Sequence, residues 1–476
     1  MASWASSTRL VSQAAPVAAD AAAAATRRSH LTPFAVGGSS AHLNIARSEG
    51  VMLYSDKGDR YLDGLAGLWS TLLGGSEPRL KAAATKQMDE MPYFHNFWGM
   101  ATNPAEKLAD ELREMYTASH MARVTFTSSG SEANDTLVKL IRYYNNALGR
   151  PNKKKLLARD RGYHGSTFAS ASLTGLPHLH KSFDLPMDGV VHVGCPDFYR
   201  HRQLGETEAG FGARMAADLR QRILDEGPDT VAALWAEPVQ GAGGVIIPPQ
   251  GYWEAVQKTL KEFDVLLVAD EVVTGFGRVG SMFGSDAVGM HPDAVVLAKG
   301  ITSAYVPLGA AMISPKIAAA IDEHSEEIGM LGHGFTYAGH PVACAVALEA
   351  MSIYKERDLP GRVASMANGF NTRLHTAAKG SAYAANVRSM GFLGAMEWSR
   401  NPDRFEAFPA EWKVGAFCGD AARARGVLVR SVGDIIAVSP ALIITEAELD
   451  ELFDALRGAV EDTDAYIRER MADEAR

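Results

Sequence analysis

Two apolar runs of this chain each end in a charged residue. VLLVAD closes on Asp270, and AVVLAK closes on Lys299, 29 residues further on. Read as buried parallel strands, both deliver a charged side chain to one edge of a sheet, the edge where open α/β folds bind ligands. A lysine amine facing a carboxylate in a water-poor pocket can hold a carbonyl cofactor as a Schiff base. The carboxylate can keep a ring nitrogen of that cofactor protonated. Desolvation would lower the amine from its reference pKa of about 10.4 and free it to attack an aldehyde. Taken singly, each residue has a plainer reading: Lys299 as a surface lysine with a buried stem, Asp270 as a helix cap or ion-pair partner.

A third string changes the balance. TFTSSGSEANDTLVKLIRYYNNAL reads as a strand, a small polar turn and a helix. Ser129, Gly130 and Ser131 then place amides and hydroxyls at a helix N-terminus, where the helix dipole favours a phosphate. Alone, such a turn is more often just a cap. With Asp270 and Lys299 it completes a pattern suited to pyridoxal phosphate. Trp69, Phe97, Trp98 and Tyr163 are candidates for an aromatic substrate pocket, against the alternative that they are ordinary core aromatics. No cysteine, histidine or carboxylate spacing points to a metal.

The elements that must carry these residues follow from periodicity. VMLY and RYLD are strand-like, with hairpin chemistry in the DKGD between them. From about residue 104, helical patterns such as PAEKLADELREMY alternate with apolar runs: RVTFT, KKLLAR, GVVHV, VAALWAEP, VLLVAD, AVVLAK and GAAMIS. The alternation predicts an α/β fold with a large, mostly parallel sheet and crossover helices. After residue 341 the chain is helical, then mixed, with VRSMGFLGAMEW and GVLVRSVGDIIAVSP strand-like and a helix from about 446. The expected organisation is 31–103 and 341–476 as two parts of one small α+β domain. Residues 104–340 form the large domain between them.

Composition narrows the class. The 47% apolar and 22% charged residues are those of a soluble globular protein, and 476 residues suit two to three domains. A net charge of −9 without a basic stripe argues against nucleic-acid binding. Cys195, Cys344 and Cys418 are too few and too far apart for a disulfide framework, and read as packing residues in a reducing compartment. Residues 1–30 are rich in Ala and Ser, with Arg9, Arg27 and Arg28 against the single acid Asp20. That is the composition of an organelle transit peptide, cleaved near Arg28; a disordered alanine-rich tail is the alternative. No stretch reads as a membrane span.

SSGSEAND, GYHGST, EPVQGAGG, ADEVVTGFGR, the AKG lysine and HGFTYAGHP, in this order, resemble the class III pyridoxal-phosphate aminotransferases. The likeness runs from about residue 31 to residue 470. YYNNALGRPNKKK, LTGLPHLHKSFDLP, GCPDFYRHRQLGETE and FPAEWKVGA narrow it to the plant-type 4-aminobutyrate–pyruvate transaminases, which are typically mitochondrial. The resemblance implies the fold-type I architecture and the cofactor pyridoxal 5'-phosphate. It implies that Lys299 forms the Schiff base and Asp270 pairs with the pyridine nitrogen. Ser129, Gly130 and Ser131 would hold the phosphate, and Tyr163 and Val272 would lie on the two ring faces. His164 and Glu237 would be cofactor-binding, and Thr336 would reach the phosphate of the neighbouring subunit, which requires a homodimer. Arg430 resembles the family's mobile arginine for substrate carboxylates. The implied reaction is a ping-pong transfer from 4-aminobutyrate to pyruvate or glyoxylate, giving succinate semialdehyde and alanine or glycine. The alternative is a broad amine–pyruvate transaminase acting on β-alanine or aromatic substrates. Two departures stand out. Ala242 replaces the glutamate of QGEAG seen in 2-oxoglutarate users, which favours pyruvate or glyoxylate. Gly300 replaces a commoner alanine, which is expected to loosen the lysine loop.

Overall fold

The computed structural model describes residues 30–35 and 43–476. The transit-peptide expectation lies outside the described residues. In chain order, the strands begin with β1 (Ile45–Glu49), β2 (Met52–Ser55) and β3 (Arg60–Asp63). There follow β4 (Arg123–Thr127), β5 (Lys155–Arg159), β6 (Val190–Val193), β7 (Val231–Ala236), β8 (Leu266–Asp270), β9 (Ala294–Leu297) and β10 (Gly309–Ile313). The last are β11 (Ala384–Met390), β12 (Leu393–Trp398), β13 (Val427–Leu428), β14 (Arg430–Val432) and β15 (Ile435–Val438).

The strands from β4 to β10 form one seven-stranded sheet in the order β4-β10-β9-β8-β7-β5-β6. Pairing is parallel from β6 through β5, β7 and β8 to β9. β10 runs antiparallel to both its neighbours, so it is the one reversed strand of a mostly parallel sheet. β7, β8 and β9 are buried at every position, as strands covered on both faces must be. Their inward and outward residues pack into two apolar clusters, one containing Leu234, Leu267 and Val295, the other Trp235, Val268 and Val296. These three adjacent strands also end in the same direction, so Glu237, Asp270 and the turn bearing Lys299 emerge together at one sheet edge.

Two four-stranded sheets flank it, ordered β1-β2-β3-β13 and β11-β12-β15-β14. The first joins chain segments more than 360 residues apart, because β13 pairs in parallel with β3 at Val427↔Leu62. The run GVLVRSVGD is thus split: Val427–Leu428 joins one sheet, and Arg430–Val432 joins the other. The long helix Glu446–Glu474 starts with a reciprocal cap between Thr445 and Glu448. No described helix is long and apolar enough to cross a membrane.

Candidate active site

Asp270 lies at the end of β8, 3% exposed. Its Oδ2 accepts from Asn134 Nδ2 at 3.1 Å and lies 2.8 Å from His164 Nδ1, while Oδ1 accepts from the Val272 amide at 3.1 Å. Two N–H donors and the His164 ring thus converge on this buried carboxylate and fix its position. The donors are themselves fixed. Asn134 also donates to the His164 carbonyl at 2.7 Å, and its own carbonyl accepts from Trp235 Nε1 at 2.8 Å. His164 is buried, and its Nε2 has no partner among the described residues.

Glu237 follows β7 and is equally buried. Its carboxylate accepts from the Tyr163 amide at 3.2 Å and the Gly241 amide at 2.8 Å. Burial raises its pKa, with Asp270 pushing the same way and His164 opposing. Glu237 therefore fastens the GYHG loop to the QGAGG loop.

Lys299 opens a short turn, Lys299–Ile301, with a left-handed φ of 49°. For a residue with a side chain that conformation costs roughly 1 kcal/mol or more. Its Nζ sits over the Trp69 ring, 5.5 Å from the centroid. Burial lowers its pKa to about 8, against the opposing pull of Asp270 and Glu237 and with help from Arg278. Taken as a whole residue, Lys299 is half-buried. Gly300 does not loosen this turn, contrary to the sequence expectation. A Cβ there would lie 2.6 Å from Leu72 Cδ1 and 3.0 Å from Phe276 Cδ2, and the Gly300 carbonyl accepts from Tyr354 at 2.6 Å. The glycine is what allows those side chains to close on the turn.

The helix Gly130–Ala147 begins beside the same edge. Ser129 caps it, its hydroxyl accepting from the Glu132 amide at 3.2 Å. The amides of Gly130 and Ser131 belong to the first turn, which has no acceptors within the helix. A Cβ on Gly130 would lie 3.0 Å from Val272 Cγ2 and 3.4 Å from Ala298 Cβ, so glycine lets the helix start approach the ends of β8 and β9. The GYHGST loop docks here, with the Ser166 amide donating to Ser131 Oγ at 3.1 Å. Tyr163 is half-buried, and its hydroxyl lies 3.2 Å from Ser166 Oγ.

The structure thus gathers Ser129, Gly130, Ser131, Tyr163, His164, Glu237, Asp270, Val272, Lys299 and Trp69 at one edge. Three others lie elsewhere in the subunit. Phe97 packs on Gly334, Trp98 is 83% exposed, and Thr336 is exposed with its carbonyl accepting from Tyr93 at 2.7 Å. Arg430 is exposed on β14, without an ion pair or side-chain hydrogen bond among the described residues. It stands opposite Ala437, so both point to one sheet face. That face packs against Trp69, Val239 and Val245. Sequence reading missed Asn134 and Trp235. The available signal was a polar residue on the buried stripe of an amphipathic helix, beside Ala133, Leu137, Val138 and Ile141.

A buried amine of lowered pKa, an acid held by three partners and an open helix start can hold a phosphorylated aldehyde. That chemistry agrees with what the chain is related to. The family described as aminotransferase class-III matches residues 34–460, and this chain belongs to it. It is an aminotransferase of a pyridoxal-phosphate-dependent class. Among its relatives is a probable gamma-aminobutyrate transaminase 4 of Oryza sativa subsp. japonica, 51% identical over 90% of this chain and 88% of that one. The mitochondrial gamma-aminobutyrate transaminase 1 of Solanum lycopersicum is 50% identical over 92% of this chain and 86% of its own. Among solved structures, the omega transaminase from Pseudomonas jessenii in complex with PMP superposes with a TM-score of 0.86 at 43% identity. It covers 89% of this chain and 93% of that one.

Proposed function

We propose that this aminotransferase moves the amino group of 4-aminobutyrate to pyruvate or glyoxylate, giving succinate semialdehyde and alanine or glycine by a ping-pong mechanism. The observation that carries the reading is Lys299 itself. It is a desolvated amine with a pKa near 8, facing Asp270 and Glu237 at the end of three parallel strands. The choice of donor is supported by the names of the plant relatives, at about half identity over most of both chains.

Pyridoxal 5'-phosphate, when bound, supplies a protonated ring that withdraws the electron pair left when the substrate C–H bond breaks. The residues would divide the work as follows. Lys299 Nζ anchors the aldehyde carbon. Gly130 and Ser131 receive the phosphate at the helix start, and Val272 and Tyr163 flank the ring. Asp270, positioned by Asn134, His164 and the Val272 amide, would face the ring nitrogen. Lys299 Nζ, once free, would be the base that carries a proton from the amine-bearing carbon of the substrate. Trp69 excludes water beside that amine. Arg430, on a face shared with Ala437 and without a partner among the described residues, grips the substrate carboxylate through a bidentate fork.

The working unit in this reading is a homodimer with shared sites. Tyr93, Phe94, Trp98, Met100, Met330 and Tyr337 are exposed apolar residues. They lie on two segments joined by the Tyr93–Thr336 and Asn96–Ala338 hydrogen bonds. A patch of this kind suits a second subunit, and docking there would carry Thr336 to the partner's phosphate site. Residues 31–103 and 341–476 would form the small domain around 104–340, and a mitochondrial address agrees with the relatives' names. A second reading, a broader amine–pyruvate transaminase, is supported in part by the likeness to omega transaminases.

The test is a matrix of donors (4-aminobutyrate, β-alanine, an aryl amine) against pyruvate, glyoxylate and 2-oxoglutarate. The proposal expects fastest turnover with 4-aminobutyrate and pyruvate or glyoxylate. Faster turnover with the aryl amine would favour the second reading, and a preference for 2-oxoglutarate would remove the role given to Ala242.

A further inference from the structure

The loop that carries Ala242 is held from both sides by arginines. It hangs from a single bridge between Gln240 and Ile246, and Glu237 takes the Gly241 amide at 2.8 Å. Arg161, two residues before Tyr163, donates to the Gly243 carbonyl at 2.7 Å. Arg388, on β11 of the flanking sheet, donates to the Gly244 carbonyl and, at 2.7 Å, to that of Val245. Three successive carbonyls of one short loop are therefore engaged by two guanidinium groups from different parts of the chain.

Those two arginines are tied to each other by a chain of charges in which two buried carboxylates alternate with half-buried arginines. Arg161 pairs with Asp197 at 2.5 Å, and Asp197 lies 3.6 Å from Arg200. Arg200 donates twice to Glu397 Oε2, at 2.6 and 3.0 Å. Glu397 is fully buried, and its other oxygen accepts from Asn386 at 2.5 Å and lies 3.4 Å from Arg388. The contacts thus run from the loop through five charged side chains and back to it. On the far side a Cβ at Gly244 would stand 2.5 Å from Ile435 Cδ1. Ile435 lies on β15, on the face it shares with Ala437 and hence with Arg430.

We propose that Arg388 is a specificity-determining positioning residue, which by gripping the Gly244 and Val245 carbonyls fixes the Ala242 loop across from Arg430 and so sets the length of 2-oxo acid accepted. The proposal rests on the aminotransferase reading above and on Arg430 as carboxylate holder. On this proposal the fixed loop acts as a wall that leaves room for a three-carbon or two-carbon acid. With the loop released, a longer dicarboxylic acid gains entry and the short one loses its wall.

The test compares Arg388→Gln and Arg388→Lys with the wild-type holoenzyme, using one donor and either pyruvate or 2-oxoglutarate. Arg388→Gln should raise the KM for pyruvate and lower the pyruvate-to-2-oxoglutarate ratio of kcat/KM by about tenfold, a typical loss for a loosened pocket wall. The half-reaction with an amine lacking a carboxylate should change by less than about threefold. Arg388→Lys, a point charge that cannot span two carbonyls, should fall between. Should Arg388→Gln not fold, Ile435→Val frees the loop from its other side and should move the ratio in the same direction. A ratio equal to wild type in the folded variants, or equal losses with both acceptors and with the amine, would overturn the proposal. A wild type that does not prefer pyruvate would instead remove the reading beneath it.

Discussion

The floor of the site at the sheet edge and an exposed flank elsewhere on the subunit use polar and aromatic residues in opposite ways. At the floor, Asp270, Asn134, His164 and Glu237 are nearly inaccessible, and almost every polar atom has a named partner. On the flank, Thr336, Trp98 and Tyr337 stand open, and on β14 Arg430 has no ion pair or side-chain hydrogen bond among the described residues. A saturated floor holds charges at fixed positions without reorganisation, which is what proton transfer and charge stabilisation need. An unsaturated flank is complete only when something else arrives, such as a second subunit or a substrate carboxylate. The difference implies that floor variants lose chemistry while flank variants lose binding.

The sharpest separation should come from Asp270→Asn. It keeps the shape but removes the charge, and kcat should fall by about 10³-fold, the scale of losing a preorganised electrostatic partner. Comparable kcat in the variant would break the contrast. Asn134→Ala acts one contact further away. It strips a donor from Asp270 and leaves Trp235 Nε1 unpaired, for roughly 1–3 kcal/mol of stability and a loss in kcat of about tenfold to a hundredfold. Thermal melts with single-turnover rates check both. On the flank, Thr336→Ala should weaken cofactor retention by about tenfold, near 1.4 kcal/mol, without lowering the melting temperature of the cofactor-free protein. An unchanged affinity would show that Thr336 has no phosphate to reach.

The smallest effect is one of pH. With a pKa near 8 in the cofactor-free protein, the neutral fraction of Lys299 rises tenfold per unit below pH 8 and saturates above it. The rate of cofactor capture should therefore climb between pH 6 and about 8 and then level off, whereas an ordinary lysine would keep climbing to about 10.4. A rate still rising at pH 10 would show that the floor does not desolvate the amine.

The same contrast explains what could be read from the chain. The central strands were legible because each is a short apolar run closed by a charge, a signal that lies within six residues. The reversal of β10 was not, since GAAMIS has the same texture as its parallel neighbours and only pairing partners set direction. Lys299, Asp270 and the helix start were proposed from local pattern. The bond from Asn134 to Asp270 spans 136 positions, and nothing in the helix announces its partner. Gly300 was misjudged for the same reason. Its effect depends on Leu72, Phe276 and Tyr354, which come from three distant segments. The chain of charges through Arg200 and Glu397 is likewise invisible in one dimension, because isolated Arg and Glu residues usually mark a solvated surface.

The central claim is that one amine, Lys299 Nζ, captures the cofactor above Asp270. Reduction of the cofactor-loaded protein with borohydride, followed by peptide mass spectrometry, reads that bond directly. The account predicts a single pyridoxyl adduct, on Lys299, absent from Lys299→Ala. An adduct on a different lysine, or one that persists in the variant, would contradict it.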